Sequence, residues 1–234
     1  MRYAKTTNQS QCRKGYCRIC FKPMRFTPWF IWTVLILGGY LCGGILFSLH
    51  IPKLLRGIDI CQVSDDHNPG AANVFTHAGW EIGIICLLLD LLKGFLPVYA
   101  AVKTVDTNSF LFSLVMVAPV LGHATAPFYK QSGGKCIATS FGVLTALFPL
   151  TWIMLILAGF YILFSTLIKI RPNRIRSIVT YALFAIAAII VTIFNHMYAI
   201  GLGCVFVSGV AIVKHSNKPE RISQQMPDQV LLNK

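Results

Sequence analysis

Long apolar segments recur along this chain, and short polar segments separate them. Hydrophobic residues make up 55% of the chain and charged residues only 12%, about half the charged share of an ordinary soluble domain. A helix needs roughly 20 apolar residues to cross a bilayer, so these segments leave no room for a separate soluble domain. The pattern predicts an all-α integral membrane protein with about seven transmembrane helices. The predicted spans cover residues 29–49, 82–101, 109–122, 137–150, 152–168, 178–194 and 197–213.

The spans divide the chain into three parts. Residues 1–26 are polar and basic and lack apolar periodicity, which predicts a flexible arm. Residues 27–213 form the membrane domain, and residues 214–234 form a cytoplasmic tail. The first span contains Gly38, Gly39, Gly43 and Gly44, and small residues of this kind permit close packing of neighbouring helices.

The chain has 21 Lys and Arg against 8 Asp and Glu, which gives a net charge of +13. These cations lie before the first span, in short loops and in the tail. They lack the interleaved aromatic residues and the long basic helix that are typical of nucleic-acid-binding proteins. We therefore expect membrane lipids and phosphorylated molecules as partners, and no nucleic acid. The sequence predicts no oligomeric state.

The eight cysteines fall into two groups. Cys12, Cys17 and Cys20 cluster in the N-terminal arm, but a fourth ligand is missing nearby, so no metal site is predicted. The others lie in or beside apolar segments, where cysteine usually behaves as a small buried hydrophobic residue. These are Cys42, Cys61, Cys86, Cys136 and Cys204.

Loop charges indicate the orientation in the membrane. Residues 169–177 and the C-terminal tail are both rich in Lys and Arg, which favours the cytoplasmic side for both. With seven spans, the N-terminus then lies outside and the C-terminus lies in the cytoplasm. The basic N-terminal arm favours the opposite orientation. The prediction is a multi-pass protein of the cell membrane with residues 50–80 and 122–140 on its cytoplasmic side.

The stretch 122–140 is polar although apolar segments lie on both sides of it. Irregular backbone cannot face lipid, so this stretch must reach water or line a polar cavity. It contains His123 and the run Gly133-Gly134-Lys135. Adjacent glycines let successive N–H groups converge on one point, and the lysine adds a positive charge there, which predicts an anion site suited to phosphate. The alternative is an ordinary glycine-rich turn with a lysine at the membrane surface.

A second polar segment, residues 50–80, is rich in Asp, His, Asn and Gly. Loops of this length between helices are usually either functional or disordered, and the glycine and asparagine content favours function. The alternative, which is strongest for Asp66 and His67, is a surface loop without a substrate role. The candidate substrate-binding residues of this segment are Asp66, His67, Asn68, Gly70 and Asn73.

Polar residues also lie within or after later spans. Asp90 and Lys93 are three residues apart and therefore share one helix face, which makes them a candidate intramembrane ion pair. Such a pair either borders a site or is purely structural. After the last span, the segment KHSNKPER offers His215, Asn217 and Arg221 as polar site residues.

In their order along the chain, these features resemble the motifs of the bacterial acyl-phosphate:glycerol-3-phosphate acyltransferases, the PlsY family. The similar runs are YLCGGILFSLHIPKLLRGIDICQV, HNPGAANVF, LLLDLLKGFLPV and GHATAPFYKQSGGKCIATSFGVL. The family patterns are GSGNxGATNxxR for the second run and GHxFPxFxxFKGGKGVAT for the fourth. The chain departs from them at three positions. The family serine is either replaced by Asp66 or shifted to Ser64, Thr76 stands at the family arginine and Cys136 at a family glycine.

The departures bear on phosphate binding. An aspartate repels phosphate unless another group neutralises it, and a threonine cannot replace the bidentate contact of an arginine. The family's third motif, an HxxN followed by an Arg, survives only as His215, Asn217 and Arg221. The resemblance implies catalytic roles for Lys135, His215 and Arg221. It implies substrate binding by Asp66, His67, Asn68, Gly70, Asn73, His123, Gly133, Gly134 and Asn217. For His123 the alternative is a structural role or orientation of the loop that carries Lys135.

The reaction that the resemblance implies is attack of the 1-hydroxyl of glycerol 3-phosphate on the acyl carbonyl of an acyl phosphate, giving lysophosphatidic acid. An acyl phosphate is already activated, so the protein mainly positions the substrates and neutralises charge, and no cofactor is expected. One alternative is an acyltransferase with a different acceptor. Another is a non-catalytic lipid-binding or regulatory membrane homologue. A transporter is less favoured, because the chain has no internal repeat.

Overall fold

The computed structural model describes residues 28–130, 133–148 and 150–216, and within them the chain is helical with irregular connections. The predicted N-terminal arm and most of the predicted tail, with Asn217 and Arg221, lie outside these residues. Ten α-helices and one π-helical turn follow each other in the described part of the chain. They are α1 Trp29–Gly44, α2 Phe47–Arg56, α3 Ile60–Val63, α4 Ala71–His77, α5 Trp80–Thr104, α6 Phe110–Thr125, α7 Ile137–Ala146, α8 Ile153–Ile162, the π-helix Leu163–Leu167, α9 Asn173–Phe194 and α10 Tyr198–Ser216.

The prediction of an all-α membrane fold is confirmed. Four helical stretches are long and apolar enough to cross a membrane, namely α1 together with α2, α5, α9 and α10. The shorter apolar helices α6, α7 and α8 with its π-helical turn coincide with the other three predicted spans. The segment 50–80, predicted as a loop, contains most of α2 together with the short helices α3 and α4.

The spans surround a main apolar core and leave apolar side chains on the outside. Phe112, Leu144, Phe184 and Val207 are fully buried in this core. Large apolar side chains such as Ile186 are exposed along the outer helix faces, as expected for a surface that contacts lipid tails instead of water.

Glycines allow two pairs of spans to approach until their backbones touch. A Cβ on Gly43 of α1 would collide with the Pro119 carbonyl of α6, and a Cβ on Gly142 of α7 would collide with the Leu91 carbonyl of α5. Such contacts stabilise helix pairs in a membrane, where the hydrophobic effect does not favour helix association. The prediction of close packing is wrong for Gly38, because no atom lies within 4 Å of where its Cβ would be.

The first predicted span, residues 29–49, is not one continuous helix. The α1 helix ends at Gly44, Ile45 and Leu46 are non-helical, and α2 then continues. A Cβ on Gly44 would lie 2.8 Å from Cδ of Pro127, so the chain here packs tightly against the segment after α6. The Ile45 carbonyl accepts a hydrogen bond from the Lys93 ammonium of α5 at 2.6 Å. A side chain distant in sequence therefore satisfies the backbone at the break.

The Lys93 ammonium lies at the centre of a buried polar cluster. Its Nζ is 2.7 Å from Oδ1 of Asp90 and 2.8 Å from Nδ1 of His123. The second oxygen of Asp90 accepts a hydrogen bond from Oγ of Ser48 at 3.2 Å. Only 1% of the Lys93 side chain and 3% of the Asp90 side chain are exposed. The predicted ion pair thus links the break after α1 to α2, α5 and α6.

Replacing Lys93 alone should destabilise the fold strongly. Lys93→Met would leave Asp90 buried with Ser48 as its remaining polar partner, and breaking a buried ion pair in this way costs about 3–5 kcal/mol. The double change Asp90→Asn with Lys93→Met should recover part of that loss, because it leaves no uncompensated charge. Chemical denaturation in detergent micelles measures both free energies of unfolding.

The matched control is Lys103→Met on the same helix. Lys103 is exposed and its ammonium lies 5.2 Å from the centre of the Tyr99 ring, so its replacement should change the free energy of unfolding by about 1 kcal/mol or less. A Lys93→Met variant as stable as the parent would contradict a structural role for the buried cluster.

Candidate functional site

The two predicted polar segments meet at one end of the helix bundle. Lys135 lies two residues before α7, and its Nζ forms an ion pair with Oδ2 of Asp66 in the loop between α3 and α4. These residues are 69 positions apart in sequence. Their side chains are 40% and 32% exposed, so the pair is accessible to solvent and to a soluble ligand.

Asp66 is also bound by its own loop. Its Oδ1 accepts a hydrogen bond from Nδ2 of Asn73 at 2.8 Å and from the backbone N–H of Asn68 at 3.3 Å. The Asn73 amide donates to the Asn68 carbonyl at 2.8 Å as well. Gly70 ends this turn, and a Cβ at Gly70 would lie 2.8 Å from Nδ2 of Asn68. Asn68, Gly70 and Asn73 therefore shape the loop that presents Asp66 to Lys135.

Two other residues of this segment face elsewhere. His67 has a left-handed backbone with a φ of 48°, and its Nδ1 is 2.7 Å from the Cys61 carbonyl. Thr76, at the position of the family arginine, donates through its hydroxyl to the Ala72 carbonyl at 3.2 Å and is exposed. The ion pair therefore receives no charge from the position of that arginine.

The Asp66 carboxyl group is ionised near neutral pH. Partial burial acts to raise its pKa, but hydrogen bonds from Lys135 and Asn73, with the charge of Lys135, outweigh burial and hold the pKa below its usual value. A lowered pKa means that this group stabilises the fold at pH values above the ordinary aspartate pKa of about 3.9. That stabilisation is lost as the pH falls through the lower pKa of the folded state.

The Gly133-Gly134 run fixes the position of Lys135 by packing against the end of α6. The Gly134 N–H donates to the His123 carbonyl at 3.1 Å. A Cβ on Gly133 would collide with that carbonyl, and a Cβ on Gly134 would collide with Nε2 of His123. The prediction that both glycine N–H groups converge on a phosphate is therefore wrong for Gly134. These glycines are needed for close approach of the backbone to His123.

His123 connects this run to the buried polar cluster. An ammonium group only donates hydrogen bonds, so Nδ1 of His123 accepts from Lys93 and the ring carries its proton on Nε2. The ring is almost fully buried. His123 therefore supports the backbone next to Lys135 from inside the bundle, and its side chain does not face the exposed ion pair.

Cys136 adopts a left-handed backbone, with a φ of 67°, directly before α7 begins at Ile137. This conformation suits glycine and is unfavourable for a residue with a Cβ. The side chain is nevertheless accommodated, because its Sγ is buried and lies 3.6 Å from the Val120 carbonyl. The positive end of the α7 dipole follows Lys135 and favours an anion at this point.

His215 lies in the last turn of α10 and is buried. Its Nδ1 is 2.8 Å from the Ala211 carbonyl, and its ring is 6.4 Å from that of Tyr181. Among the residues that the structure describes, its buried Nε2 has no hydrogen-bond partner. Because Nδ1 donates to a carbonyl, Nε2 of the neutral ring is a hydrogen-bond acceptor enclosed within the bundle.

A basic pocket of about 770 Å³ lies between the π-helical turn and the start of α9. Its lining includes the cations Lys169, Arg171 and Arg176. The neighbouring Arg174 donates to the carbonyl of Ser216 at the end of α10, so the pocket is at the same end of the bundle as His215. No local motif marks these cations as site residues, because the fold brings them together across a turn.

The structure brings together Lys135, Asp66, Asn68 and Asn73, with His215 nearby and His123 in support. Within residues 28–130, 133–148 and 150–216, no three His, Cys, Asp or Glu residues are grouped as a metal site would require. The cysteine cluster of the N-terminal arm, with Cys12, Cys17 and Cys20, lies outside the described residues, as do Asn217 and Arg221.

Comparison with known proteins assigns the whole arrangement to one family. A family model described as glycerol-3-phosphate acyltransferase matches residues 33–225. Glycerol-3-phosphate acyltransferase 2 of Thermotoga maritima is 37% identical over 154 residues, which cover 63% of this chain and 76% of that protein. The glycerol-3-phosphate acyltransferase of Bacillus cytotoxicus is 34% identical over 194 residues, which cover 82% of this chain and 92% of that protein.

A solved structure shows the same architecture. The crystal structure of PlsY, an integral membrane glycerol 3-phosphate acyltransferase, in its glycerol 3-phosphate form matches with a TM-score of 0.67 and 28% sequence identity. The match covers 79% of this chain and 88% of the solved chain. The lysophosphatidic acid form of PlsY matches with the same TM-score and 26% identity. This chain is therefore a multi-pass membrane protein that belongs to the glycerol-3-phosphate acyltransferase family.

Proposed function

We propose that this chain transfers a fatty acyl group from an acyl phosphate to the 1-hydroxyl of glycerol 3-phosphate and so produces lysophosphatidic acid. The observation that carries the proposal is the position of Lys135, which is fixed by Gly133 and Gly134 at the end of the bundle where the loop of Asn68 and Asn73 lies. The glycerol 3-phosphate and lysophosphatidic acid forms of the related PlsY structure support this choice of acceptor and product.

The chemistry requires positioning and charge neutralisation more than covalent catalysis. The acceptor hydroxyl oxygen bonds to the acyl carbonyl carbon, and the bond from that carbon to the phosphate oxygen of the acyl phosphate breaks. The hydroxyl proton ends on the phosphate that leaves, which is released as hydrogen phosphate. Lys135 and the positive end of α7 neutralise phosphate charge during this exchange. His215 donates through Nδ1 to the Ala211 carbonyl, so Nε2 of its neutral ring can accept a hydrogen bond from a hydroxyl group. The basic pocket attracts anionic groups to the same end of the bundle.

Acyl transfer by the purified protein in lipid vesicles tests the proposal. Palmitoyl phosphate and radiolabelled glycerol 3-phosphate should give labelled lysophosphatidic acid. Lys135→Ala should lower kcat/KM by about 100-fold or more, because a charge that stabilises the transition state is lost. Lys130→Ala is the matched control, since Lys130 is an exposed lysine of the same loop, and it should retain activity within about twofold.

Absence of product from well-folded parent protein would contradict the proposal. The same assay of the parent protein with other phosphorylated acceptors then distinguishes two alternatives. Product would indicate an acyltransferase with a different acceptor, and no product would indicate a non-catalytic lipid-binding homologue. If Lys135→Ala were as active as Lys130→Ala, the role of Lys135 in the mechanism would be contradicted. The proposed reaction would still stand.

Gly134→Ala should also reduce activity, although it removes no functional group. Its Cβ would collide with Nε2 of His123 and displace Lys135, and a misplacement of 1 Å in an active site can cost about 100-fold in rate. We expect kcat/KM to fall by at least about tenfold. Gly159→Ala is the control, because no atom lies within 4 Å of where its Cβ would be. Equal activities of the two variants would show that the packing on His123 does not position Lys135.

We also propose that the N-terminus lies outside and that the C-terminus and the site face the cytoplasm. Seven membrane crossings place the two termini on opposite sides, and Lys169, Arg171, Arg174 and Arg176 favour the cytoplasm for the site end. In a bacterial host, green fluorescent protein fused after residue 234 should fluoresce, and alkaline phosphatase fused there should be inactive. An active phosphatase fusion would reverse the orientation.

A further inference from the structure

We infer that Asp66 is an internal counter-ion that competes with substrate phosphate for Lys135 and so lowers the affinity of this site for phosphate-bearing acceptors. The inference rests on the proposed function for the identity of the acceptor. It does not need turnover, because the competition concerns phosphate binding alone. The reaction itself is unchanged by it, and only the strength and selectivity of binding are affected.

The first argument is that Asp66 makes the contacts that an incoming phosphate oxygen would need. One carboxylate oxygen pairs with the Lys135 ammonium, and the other accepts from the Asn73 amide and the Asn68 N–H. All of these groups are donors, and phosphate and carboxylate are recognised by the same kinds of donor. A phosphate group therefore has to take Lys135 away from Asp66.

The second argument is the charge of the site. Lys135 contributes one positive charge and Asp66 one negative charge, so the pair has no net charge. Thr76 adds none, and its hydroxyl is bonded to the Ala72 carbonyl. An anion that approaches this pair gains little attraction until the carboxylate is separated from the ammonium. The lowered pKa of Asp66 keeps the carboxylate charged at neutral pH, so protonation does not relieve the competition there.

The third argument is that Asp66 stays close after it loses Lys135. Asn73 and the Asn68 N–H bind Oδ1, whereas Lys135 binds Oδ2. The lysine side chain can therefore turn to a phosphate while the loop still holds the carboxylate beside it. Repulsion between the carboxylate and the bound phosphate then persists, and it is greater for a dianion than for a monoanion.

Isothermal titration calorimetry of the full chain in lipid nanodiscs tests the inference, with inorganic phosphate and glycerol 3-phosphate as the titrated ligands. Asp66→Asn keeps the size of the side chain and removes its charge, and Asp66→Ser is a second variant in case the amide disturbs the loop. Each should bind both ligands about tenfold more tightly than the parent, because loss of a neighbouring like charge favours the bound anion. In the acyl-transfer assay, KM for glycerol 3-phosphate should fall while kcat changes by about twofold or less.

The matched control is Asp65→Asn. Asp65 is the adjacent acid, is exposed, and makes no ion pair within the described part of the chain. Its replacement changes the net charge equally and should leave the phosphate dissociation constant within about twofold of the parent value. An equal gain in affinity from Asp65→Asn would overturn the inference, because a general charge effect would then explain the result.

The remaining outcomes separate this inference from the proposed function. Tighter phosphate binding by both Asp66 variants, with no acyl transfer by the parent or either variant, would support the counter-ion and contradict the acyltransferase. Acyl transfer by the parent with weaker phosphate binding by both variants would overturn the counter-ion and make Asp66 a ligand-holding residue. A lower kcat with unchanged KM in both variants would overturn it as well, because Asp66 would then act on the reacting hydroxyl.

Discussion

The interaction on which the rest of this structure depends is the burial of the Lys93 ammonium among Asp90, His123 and the Ile45 carbonyl. A charge in the membrane interior is tolerated only where the protein surrounds it with partners. Asp90 lies on α5 with Lys93, but His123 lies on α6 and Ile45 lies at the break after α1, so satisfying one charge fixes the relative positions of α1, α5 and α6. The break after Gly44 is part of the same arrangement, because the carbonyl at the break becomes a partner for the ammonium.

The site at the end of the bundle is built on this cluster. His123 receives a hydrogen bond from Lys93 through its ring and accepts one from Gly134 through its carbonyl. The backbone at Lys135 is therefore fixed on one side by the contact of Gly134 with α6 and on the other side by the start of α7. The Lys135 ammonium forms an ion pair with Asp66, which also accepts hydrogen bonds from Asn68 and Asn73. The lysine that matches the family pattern thus forms an ion pair with an aspartate that departs from it.

Much of the architecture could be predicted from sequence, because lipid permits few backbone arrangements. The apolar segments indicated the spans, and the three-residue spacing of Asp90 and Lys93 placed both on one helix face. The break after Gly44 could not be predicted, since it depends on packing against Pro127 and on Lys93, which are remote in sequence. For the same reason the pairing of Lys135 with Asp66 has no local signal.

The glycine run shows a different kind of error. Its composition suits an anion-binding nest as well as a close backbone contact, and only the position of His123 distinguishes the two. The basic pocket of Lys169, Arg171 and Arg176 could not be predicted from sequence either. Cations in a short loop between spans are expected from membrane orientation alone, so they do not indicate a pocket.

The anchoring of Gly133 and Gly134 against α6 has a consequence for how the site opens to substrate. With the backbone held before Lys135 and a helix beginning two residues after it, the movable part at this position is a four-carbon side chain. Under the proposed function, Lys135 then moves from carboxylate to phosphate by a change of side-chain rotamer on a backbone that is already in place. Rotamer changes of exposed side chains take place within nanoseconds.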